Sequence, residues 1–292
     1  MLNRALFSGL LMLVWINPLK VQGQATDSNK DCFICKDGEH KNESPYDISF
    51  KNELPFIIVG SGIATTGVIL NVTNDTQPFT VEELESLDRN NVNAFDRGAT
   101  YNWDENAQKA SDIMMFSSIL LPAMFLVNHH TRSDIGPLLV MGLEVASITY
   151  GITSTVKHTV NRTRPYVYNT DLSTDIRTNS QSRKSFFSGH TATSASITFF
   201  FAKVMSDYHP EMKTGYKIGL WSFAALVPAA TGYLRVKGGN HFRTDVITGY
   251  IVGAFTGWVI PHMHKVKKMN SGLSLYPVQL YGVNGMGLTY KF

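Results

Sequence analysis

Residues 246–260 read VITGYIVGAFTGWVI, and their composition indicates the type of secondary structure on which the fold is built. Its large apolar residues are mixed with glycine, alanine and threonine, and they lack the period of two that is typical of a β-strand. The stretch therefore predicts a helix that is apolar on most of its faces. Five further stretches have the same character, at residues 54–70, 113–127, 135–153, 191–205 and 218–234.

Each of the six segments is 15–19 residues long. A helix needs about 20 apolar residues to span a bilayer, so these are either short transmembrane helices or the buried helices of a soluble bundle. We expect an all-α fold: a bundle of five to six apolar helices, embedded in a membrane, with the functional site at one end. Residues 275–292 differ from the rest, because their pattern is typical of strands.

Composition and charge exclude several classes of protein. Hydrophobic residues make up 43% of the 292 residues, which is too many for a disordered chain, and two cysteines are too few for a disulfide scaffold. Residues 26–128 hold 7 basic and 16 acidic residues, whereas residues 129–292 hold 17 basic and 7 acidic residues. The basic half suits an anionic substrate, although a solvated surface gives the same pattern.

A first motif follows the segment at 135–153, in the sequence KHTVNRTRP at 157–165. Lys157 supplies a compact cation and Arg164 a planar guanidinium, a pair that suits phosphate oxygens. Pro165 stiffens the chain directly after Arg164. Taken alone, the pair is also what an ordinary protein surface presents.

A second motif, Ser188-Gly189-His190, precedes the segment at 191–205. Backbone N–H groups at the start of a helix favour an anion, Gly189 permits close approach, and Ser188 can donate its hydroxyl. His190 can carry a proton. The alternative is a serine that caps the helix beside a polar histidine.

A third motif joins Arg235, His241 and Asp245, in LRVKGGNHFRTDV at 234–246. A carboxylate bonded to one imidazole nitrogen fixes the tautomer and leaves the other nitrogen as a nucleophile. Arg235 adds a third cation for a phosphoryl group. The alternative is a His–Asp pair that caps the next helix.

Together the three motifs resemble, in residue types, spacing and order, the signature of the type 2 phosphatidic acid phosphatase superfamily. That superfamily includes lipid phosphatases, bacterial class A acid phosphatases and vanadium haloperoxidases, and the chain resembles its bacterial lipid A phosphatases. The resemblance spans about residues 112–262. Two positions depart from the signature, since Phe187 stands where proline is usual and Leu234 where serine is usual. The second departure removes a phosphate-binding hydroxyl but no catalytic group.

The resemblance implies a metal-independent phosphatase that works through a phosphohistidine. It implies that His241 attacks phosphorus, that Asp245 holds His241 in the reactive tautomer, and that His190 protonates the leaving group and then activates water. It also implies a set of phosphate-binding groups: Lys157, Arg164, Arg235, Ser188 and Gly189. No cofactor and no metal are expected. The histidines at 129, 130, 262 and 264 have no carboxylate or cysteine at ligand spacing, and we interpret them as interfacial or solvated.

The expected function is hydrolysis of a lipid phosphate monoester or pyrophosphate, with lipid A ranked first and polyprenyl pyrophosphate or phosphatidate next. Lipid A is ranked first because the leader is of a bacterial type and because an anionic head group would pair with four cations that the motifs leave unexplained: Arg162, Arg177, Arg183 and Lys184. The alternatives are a soluble periplasmic acid phosphatase, a vanadium haloperoxidase and a non-catalytic membrane protein that binds phosphate lipids. The expected partners are the lipid and the membrane, with no nucleic acid, and the oligomeric state is left open.

Four regions are expected along the chain: a secretory leader at 1–25, an acidic extension with one apolar interfacial or membrane helix at 26–111, a catalytic helical core at 112–268 and a tail at 269–292. Export would allow Cys32 and Cys35 to pair. If residues 54–70 form an interfacial or re-entrant helix, the site faces the periplasm from the inner membrane of a bacterial envelope. If all six segments span the membrane, a cleaved leader puts the site inside.

Overall fold

The computed structural model describes residues 44–48, 50–73, 76–266, 273–280 and 283–290. The predicted leader and the Cys32–Cys35 pair lie outside the described residues. The long helices are α1 (Phe50–Thr73), α2 (Glu105–Ile119), α3 (Ile135–Val160), α4 (Gly189–Tyr208), α5 (Thr214–Lys237) and α6 (Arg243–His264). Shorter α-helices lie at Val81–Glu85, Ala94–Arg97, His129–Arg132 and Thr174–Arg177, and 3₁₀ turns lie at Arg89–Asn91, Gly98–Tyr101, Leu121–Leu126 and Pro165–Tyr168.

The predicted all-α bundle of apolar helices is confirmed. Five of the six apolar segments each lie within one long helix, and residues 113–127 are shared by α2 and the turn at Leu121–Leu126, which begins beside a proline. Most of the helices are longer than the predicted segments because they include polar residues at their ends. The 26 residues of α3 extend about 39 Å, more than the ~30 Å hydrocarbon core of a bilayer. Within the described ranges, three helical segments are long and apolar enough to cross a membrane: Glu105–Leu126, Ile135–Tyr168 and Arg243–His264.

α1 runs beside α3 in the same direction. A Cβ on Gly60 would lie 3.5 Å from Ile148, and one helical heptad further on the Ser154 hydroxyl donates to the Gly67 carbonyl at 2.7 Å. With 24 residues, α1 is about 36 Å long. Residues 54–70, which the sequence predicts as an interfacial or membrane helix, thus lie within one long helix, and small residues let this helix pack along α3.

Glycines on α6 bring this helix into close contact with α4. A Cβ on Gly249 would lie 2.5 Å from the Ser188 carbonyl oxygen, and one on Gly253 would lie 2.1 Å from that of Ala192. These glycines are four residues apart and so share one helix face. Side chains larger than hydrogen cannot be accommodated here, and this contact fixes the second motif against the third.

A proline interrupts the hydrogen bonding of α5. Pro228 lies inside the helix and has no N–H to donate to the carbonyl of Ala224. The Thr198 hydroxyl of α4 donates to that carbonyl instead, at 2.9 Å. The carbonyl that Pro228 leaves without an intrahelical donor is thus hydrogen-bonded by the neighbouring helix.

The bundle has two distinct ends. At one end Tyr46 and Lys265 form an isolated β-bridge, and the side chains of both donate to Asp207. At the other end Gln108 donates to the Gly238 carbonyl at 2.8 Å, beside the third motif. Because successive long helices alternate in direction, residues 44–48 lie at the end opposite the three motifs. The prediction of a site at one end of the bundle is confirmed.

The tail forms a β-hairpin of two antiparallel strands, β1 (Leu273–Leu280) and β2 (Val283–Tyr290). Leu273 pairs with Tyr290, and Leu280 pairs with Val283. The strand-like pattern seen in residues 275–292 therefore corresponds to strands in the described part of the tail.

Candidate active site

The three motifs meet where four helices end or begin. Two cations lie in the last turns of helices, Lys157 in α3 and Arg235 in α5. The second motif, Ser188-Gly189-His190, begins α4, and Asp245 lies in the first turn of α6. The other two residues lie in loops: Arg164 follows α3, and His241 lies between α5 and α6. The charges of Lys157, Arg164 and Arg235 all act on His241. The structure therefore brings together all eight residues that the sequence motifs single out.

His241 is the predicted nucleophile, and its imidazole is 1% exposed. Its Nδ1 lies 2.7 Å from the carbonyl oxygen of Ser185. A carbonyl can only accept, so Nδ1 carries the ring proton and Nε2 keeps its lone pair. The nearest Asp245 oxygen lies 3.6 Å from Nδ1, beyond hydrogen-bond distance. The expectation that Asp245 holds the tautomer is corrected, because the Ser185 carbonyl holds it.

The surroundings of His241 favour its neutral form. Burial lowers the pKa of His241 well below its usual value, and the positive charges of Lys157, Arg164 and Arg235 lower it further. A protonated imidazole would be both desolvated and repelled at this position. The ring of the predicted nucleophile is therefore held in its neutral form beside three basic side chains.

Asp245 organises the loop that carries His241. Its fully buried carboxylate accepts from the Ser185 hydroxyl at 2.5 Å, from the Phe242 N–H at 2.9 Å and from Arg162 at 2.5 Å. The Asp245 carbonyl accepts from the Ser188 N–H at 3.1 Å. Asp245 thus links the loop that carries His241 to the start of α4. It also caps α6, as the alternative interpretation of the third motif predicts.

Arg162 connects Asp245 with a second buried carboxylate that the motifs do not include. Its guanidinium donates to Asp245 at 2.5 Å, to Asp96 at 2.8 Å and to the Thr244 hydroxyl at 2.8 Å. Asp96 in turn accepts from the Thr244 N–H at 3.0 Å and from its hydroxyl at 2.6 Å. The acidic extension therefore contributes a residue that supports the third motif.

The segment just before the second motif supplies backbone oxygens to the site. The Lys184 carbonyl accepts from Lys157 Nζ at 2.8 Å, next to the Ser185 carbonyl that accepts from His241. The Ser185 N–H donates to the Arg162 carbonyl at 2.9 Å. Two adjacent carbonyls thus orient the predicted nucleophile and one predicted phosphate ligand.

The predicted general acid, His190, has a partner that the motifs also miss. Its Nε2 lies 2.8 Å from Asp112 Oδ1, and the same oxygen lies 3.2 Å from Arg235. Asp112 belongs to α2, and its side chain is 46% exposed. A carboxylate therefore bridges the predicted acid and one of the predicted phosphate ligands.

The second motif combines a helix cap with a helix start at which an anion is predicted to bind. The Ser188 side chain is fully buried and accepts from the Thr191 N–H at 3.4 Å, which makes Ser188 the N-cap of α4. Gly189 is the first residue of this 20-residue helix, where backbone N–H groups have no intrahelical acceptor. The Ser188 hydroxyl is thus shared with the helix cap, whereas the Gly189 N–H suits an anion.

The four cations left unexplained by the motifs all have partners within the protein. Arg177 donates to the Val167 carbonyl, Arg183 pairs with Glu83 at 2.6 Å, and Lys184 Nζ lies 3.0 Å from His158 Nε2. Arg162 holds the two carboxylates described above. These contacts remove the reason for assigning the cations to a lipid head group.

The histidines outside the motifs have different surroundings. His264 is buried, with Nδ1 2.8 Å from the Ile260 carbonyl and Nε2 3.4 Å from Glu144. The interpretation of His264 as interfacial or solvated is therefore corrected, because its ring is buried between α6 and α3. His262 stacks on Trp258 with ring centroids 4.8 Å apart. In the part of the chain that the structure describes, no three His, Cys, Asp or Glu side chains are grouped as metal ligands.

Comparisons with known proteins agree with the motifs. The sequence model of the PAP2 superfamily matches residues 137–269, which contain all three motifs. Among solved structures, the chain is similar to the crystal structure of the first transmembrane PAP2 type phosphatidylglycerolphosphate phosphatase from Bacillus subtilis. That similarity has 19% sequence identity, covers 75% of this chain and 97% of that chain, and has a TM-score of 0.42. No curated protein matches the chain.

Proposed function

We propose that this chain, whose residues 137–269 match the sequence model of the PAP2 superfamily, hydrolyses the phosphate ester of a membrane lipid through a phosphohistidine. One observation carries the proposal above the others. The buried, neutral imidazole of His241 has its Nδ1 proton committed to the Ser185 carbonyl, and its surroundings hold three cations. A nucleophile of this kind is what attack on a phosphate requires.

The proposed reaction has two steps. In the first, Nε2 of His241 forms a bond to phosphorus while the bond from phosphorus to the ester oxygen breaks, and His190 gives a proton to that oxygen. In the second, His190 takes a proton from water, the resulting oxygen attacks phosphorus, and the bond to His241 breaks. Lys157, Arg164 and Arg235 stabilise the negative charge on the phosphoryl oxygens throughout.

Asp112 has to move away from Arg235 when a phosphate binds. Its carboxylate now accepts from Arg235 and His190, two groups assigned to the phosphate and its leaving oxygen. Asp112 and a phosphate cannot both accept from Arg235 without strong repulsion. We therefore expect Asp112 to keep its contact with His190, where it favours the protonated ring that the first step needs.

A lipid substrate agrees with the surface of the bundle. Large apolar side chains in the middle of the long helices are exposed, among them Leu143 at 67%, Leu226 at 67% and Phe255 at 61%. Exposed apolar area on this scale indicates contact with hydrocarbon rather than with water. The soluble acid phosphatase is accordingly the weaker candidate. Lipid A loses the rank that the unexplained cations gave it, and it stands level with phosphatidate, phosphatidylglycerol phosphate and polyprenyl pyrophosphate.

We further propose that the site faces the periplasm. Lys265 follows α6 at the end opposite the motifs, the sequence has two further lysines at 267 and 268, and basic residues favour the cytoplasmic side. The cations at 162–184 do not oppose this orientation as free charges would, since the protein itself binds them. Because α1 runs the length of the bundle, this orientation requires residues 44–48 to be cytoplasmic, which a cleaved leader would not allow. Labelling of single cysteines introduced at Asn179 and Lys213 in intact cells tests it, and labelling of Lys213→Cys alone would contradict it.

Phosphate release tests the proposed activity. The purified protein in detergent is given phosphatidate, phosphatidylglycerol phosphate, polyprenyl pyrophosphate, lipid A and p-nitrophenyl phosphate, beside the His190→Ala variant. We expect release from at least one lipid, with a loss of roughly 10²–10⁴-fold in the variant. Release from p-nitrophenyl phosphate alone would favour the soluble phosphatase, and halide oxidation with added vanadate would favour the haloperoxidase. A protein that binds these lipids but releases no phosphate would be the non-catalytic alternative.

A further inference from the structure

A groove of about 300 Å³ opens on the side of the bundle between α4, α5 and α6. Most of its lining is apolar and comes from Pro228, Ala229, Tyr233, Ile247 and Ile251. The side chains at its rim are exposed, with Tyr233 at 66% and Ile251 at 62%. In a helical bundle within a membrane, this side of the molecule meets the hydrocarbon of the bilayer.

Small residues of α5 create the groove. Ala229 is exposed, and its small side chain leaves room beside Pro228 inside α5. One turn further on, a Cβ on Gly232 would lie 3.2 Å from Val246 of α6 and 3.4 Å from Thr191 of α4. The inner end of the groove therefore lies where the three helices meet, and the missing side chain of Gly232 leaves space there.

The inner end of the groove borders the candidate active site. Thr191 directly follows His190, Val246 directly follows Asp245, and Gly232 lies three residues before Arg235. The Thr191 hydroxyl lies 2.9 Å from the Ser188 hydroxyl, so Thr191 contacts the phosphate motif and lines the groove at once. Each helix that lines the groove thus carries a motif residue at its inner end.

We infer that this groove binds one hydrocarbon chain of the lipid whose phosphate lies among the three motifs. The inference rests on the proposed function and adds the subsite that makes a lipid a better substrate than a soluble phosphate. An apolar chain leaving the phosphate site would pass Thr191 and Gly232 and then lie along Ala229 toward the bilayer. Burial of the chain contributes about 0.8 kcal/mol for each CH₂ removed from water.

A second groove provides a control. It lies between α1 and α3, has a volume of about 440 Å³, and is lined in part by Ile58, Gly62 and Val156. It is the larger of the two, and Val156 directly precedes Lys157, so volume alone does not favour the α4–α6 groove. The groove between α4, α5 and α6 differs in that all three of its helices carry a motif residue. Of the two helices that line the second groove, only α3 carries one.

The test compares Ala229→Phe with Gly62→Phe, which place the same ring in the two grooves. A Cβ on Gly62 meets no atom within 4 Å, so the control substitution has space. The measurement is the ratio of kcat/KM for dioleoyl phosphatidate in mixed micelles to kcat/KM for p-nitrophenyl phosphate. We expect Ala229→Phe to lower this ratio at least tenfold and Gly62→Phe to leave it within twofold of the wild type. An unchanged ratio in Ala229→Phe, or a fall in Gly62→Phe instead, would overturn the inference.

Photocrosslinking of the unsubstituted protein makes the test independent of the folding of either variant. A phosphatidate that carries a diazirine in the middle of one acyl chain is bound, irradiated and located by peptide mapping. Crosslinks within residues 228–233 and 246–251 support the inference, and crosslinks confined to α1 and residues 148–156 overturn it. If the wild-type protein releases phosphate from no lipid, the proposed function fails first; if it hydrolyses lipids but both experiments point elsewhere, only the groove assignment fails.

Discussion

Nδ1 of His241 lies 2.7 Å from the carbonyl oxygen of Ser185, and this backbone contact, rather than a carboxylate, sets the tautomer of the proposed nucleophile. The Asp245 carboxylate lies 3.6 Å from the same nitrogen and is occupied by other donors. The Asp in this motif therefore acts on the loop that carries the histidine. It does not form the direct His–Asp pair that the sequence suggested.

Substitution at Ser185 and Asp245 separates these two roles. Ser185→Ala removes the hydroxyl that donates to Asp245 but keeps the carbonyl that accepts from His241. We expect kcat/KM to fall by less than about tenfold, because tenfold corresponds to ~1.4 kcal/mol and one hydrogen bond typically contributes about 0.5–1.5 kcal/mol. Asp245→Asn loses the charge that pairs with Arg162, and we expect a loss of at least about 100-fold. Steady-state kinetics with p-nitrophenyl phosphate measure both, and an equal loss in the two variants would refute the division of roles.

The pair of Arg162 and Asp96 is expected to stabilise the fold and the site together. Arg162→Met leaves the fully buried carboxylates of Asp96 and Asp245 without their shared cation. Breaking a buried pair in this way costs about 3–5 kcal/mol of unfolding free energy, and the 24% exposure of Arg162 places the expected loss at the lower end of that range.

A double-mutant cycle tests whether the two residues act as a pair. Asp96→Asn and Arg162→Met should each lower kcat with little change in KM, because neither residue is assigned to the phosphate. The combined variant should lose clearly less than the sum of the two single losses. Arg162→Lys keeps the charge and should recover part of kcat. Additive losses across the cycle would show that the two residues act independently.

The pH dependence of the first chemical step should reflect a neutral His241. Because burial and three cations lower the pKa of His241, the ring stays unprotonated as the pH falls through 6.5. Protonation then removes the nucleophile only well below that pH. The pre-steady-state rate of p-nitrophenol release, corrected for ionisation of the substrate phosphate, measures this limb. A half-maximal rate near pH 6.5 would mean that His241 titrates like an exposed histidine.

Chelation should leave turnover unchanged. Lys157, Arg164 and Arg235 supply three positive charges around His241, and the proposed steps use these charges where other phosphatases use divalent cations. The purified protein is dialysed against EDTA and assayed with and without added Mg²⁺ or Zn²⁺. Loss of activity that a divalent cation restores would contradict the metal-independent reaction.

The long helices and the eight motif residues were predictable because their signals are local. An apolar stretch such as residues 246–260 indicates a helix by its own pattern, and each motif stands at the end of such a stretch. Because neighbouring helices alternate in direction, these helix ends lie together at one end of the bundle. Local pattern therefore located the groups that the proposed mechanism uses.

The groups that hold the motif residues in place could not be predicted from the sequence, and the physical reason differs among them. The Ser185 contact uses a backbone carbonyl, which every residue possesses, so no side chain marks it. Asp96 and Asp112 lie far from the motifs in sequence, among the 16 acidic residues of the region 26–128. Only tertiary packing selects these two from the others. Arg162 did carry a signal, as a cation without an assigned role, but its partners were sought in a lipid and lie in the protein.

Trapping the phosphoenzyme tests the proposed mechanism most directly. p-Nitrophenolate leaves without a proton, so His190→Ala should complete the first step with this substrate and stall before hydrolysis. We predict a burst of one p-nitrophenol per protein molecule in His190→Ala, phosphate attached to Nε2 of His241 in an acid-labile, base-stable bond, and neither signal in His241→Ala. Absence of the burst, or phosphate bound to any other residue, would contradict the account.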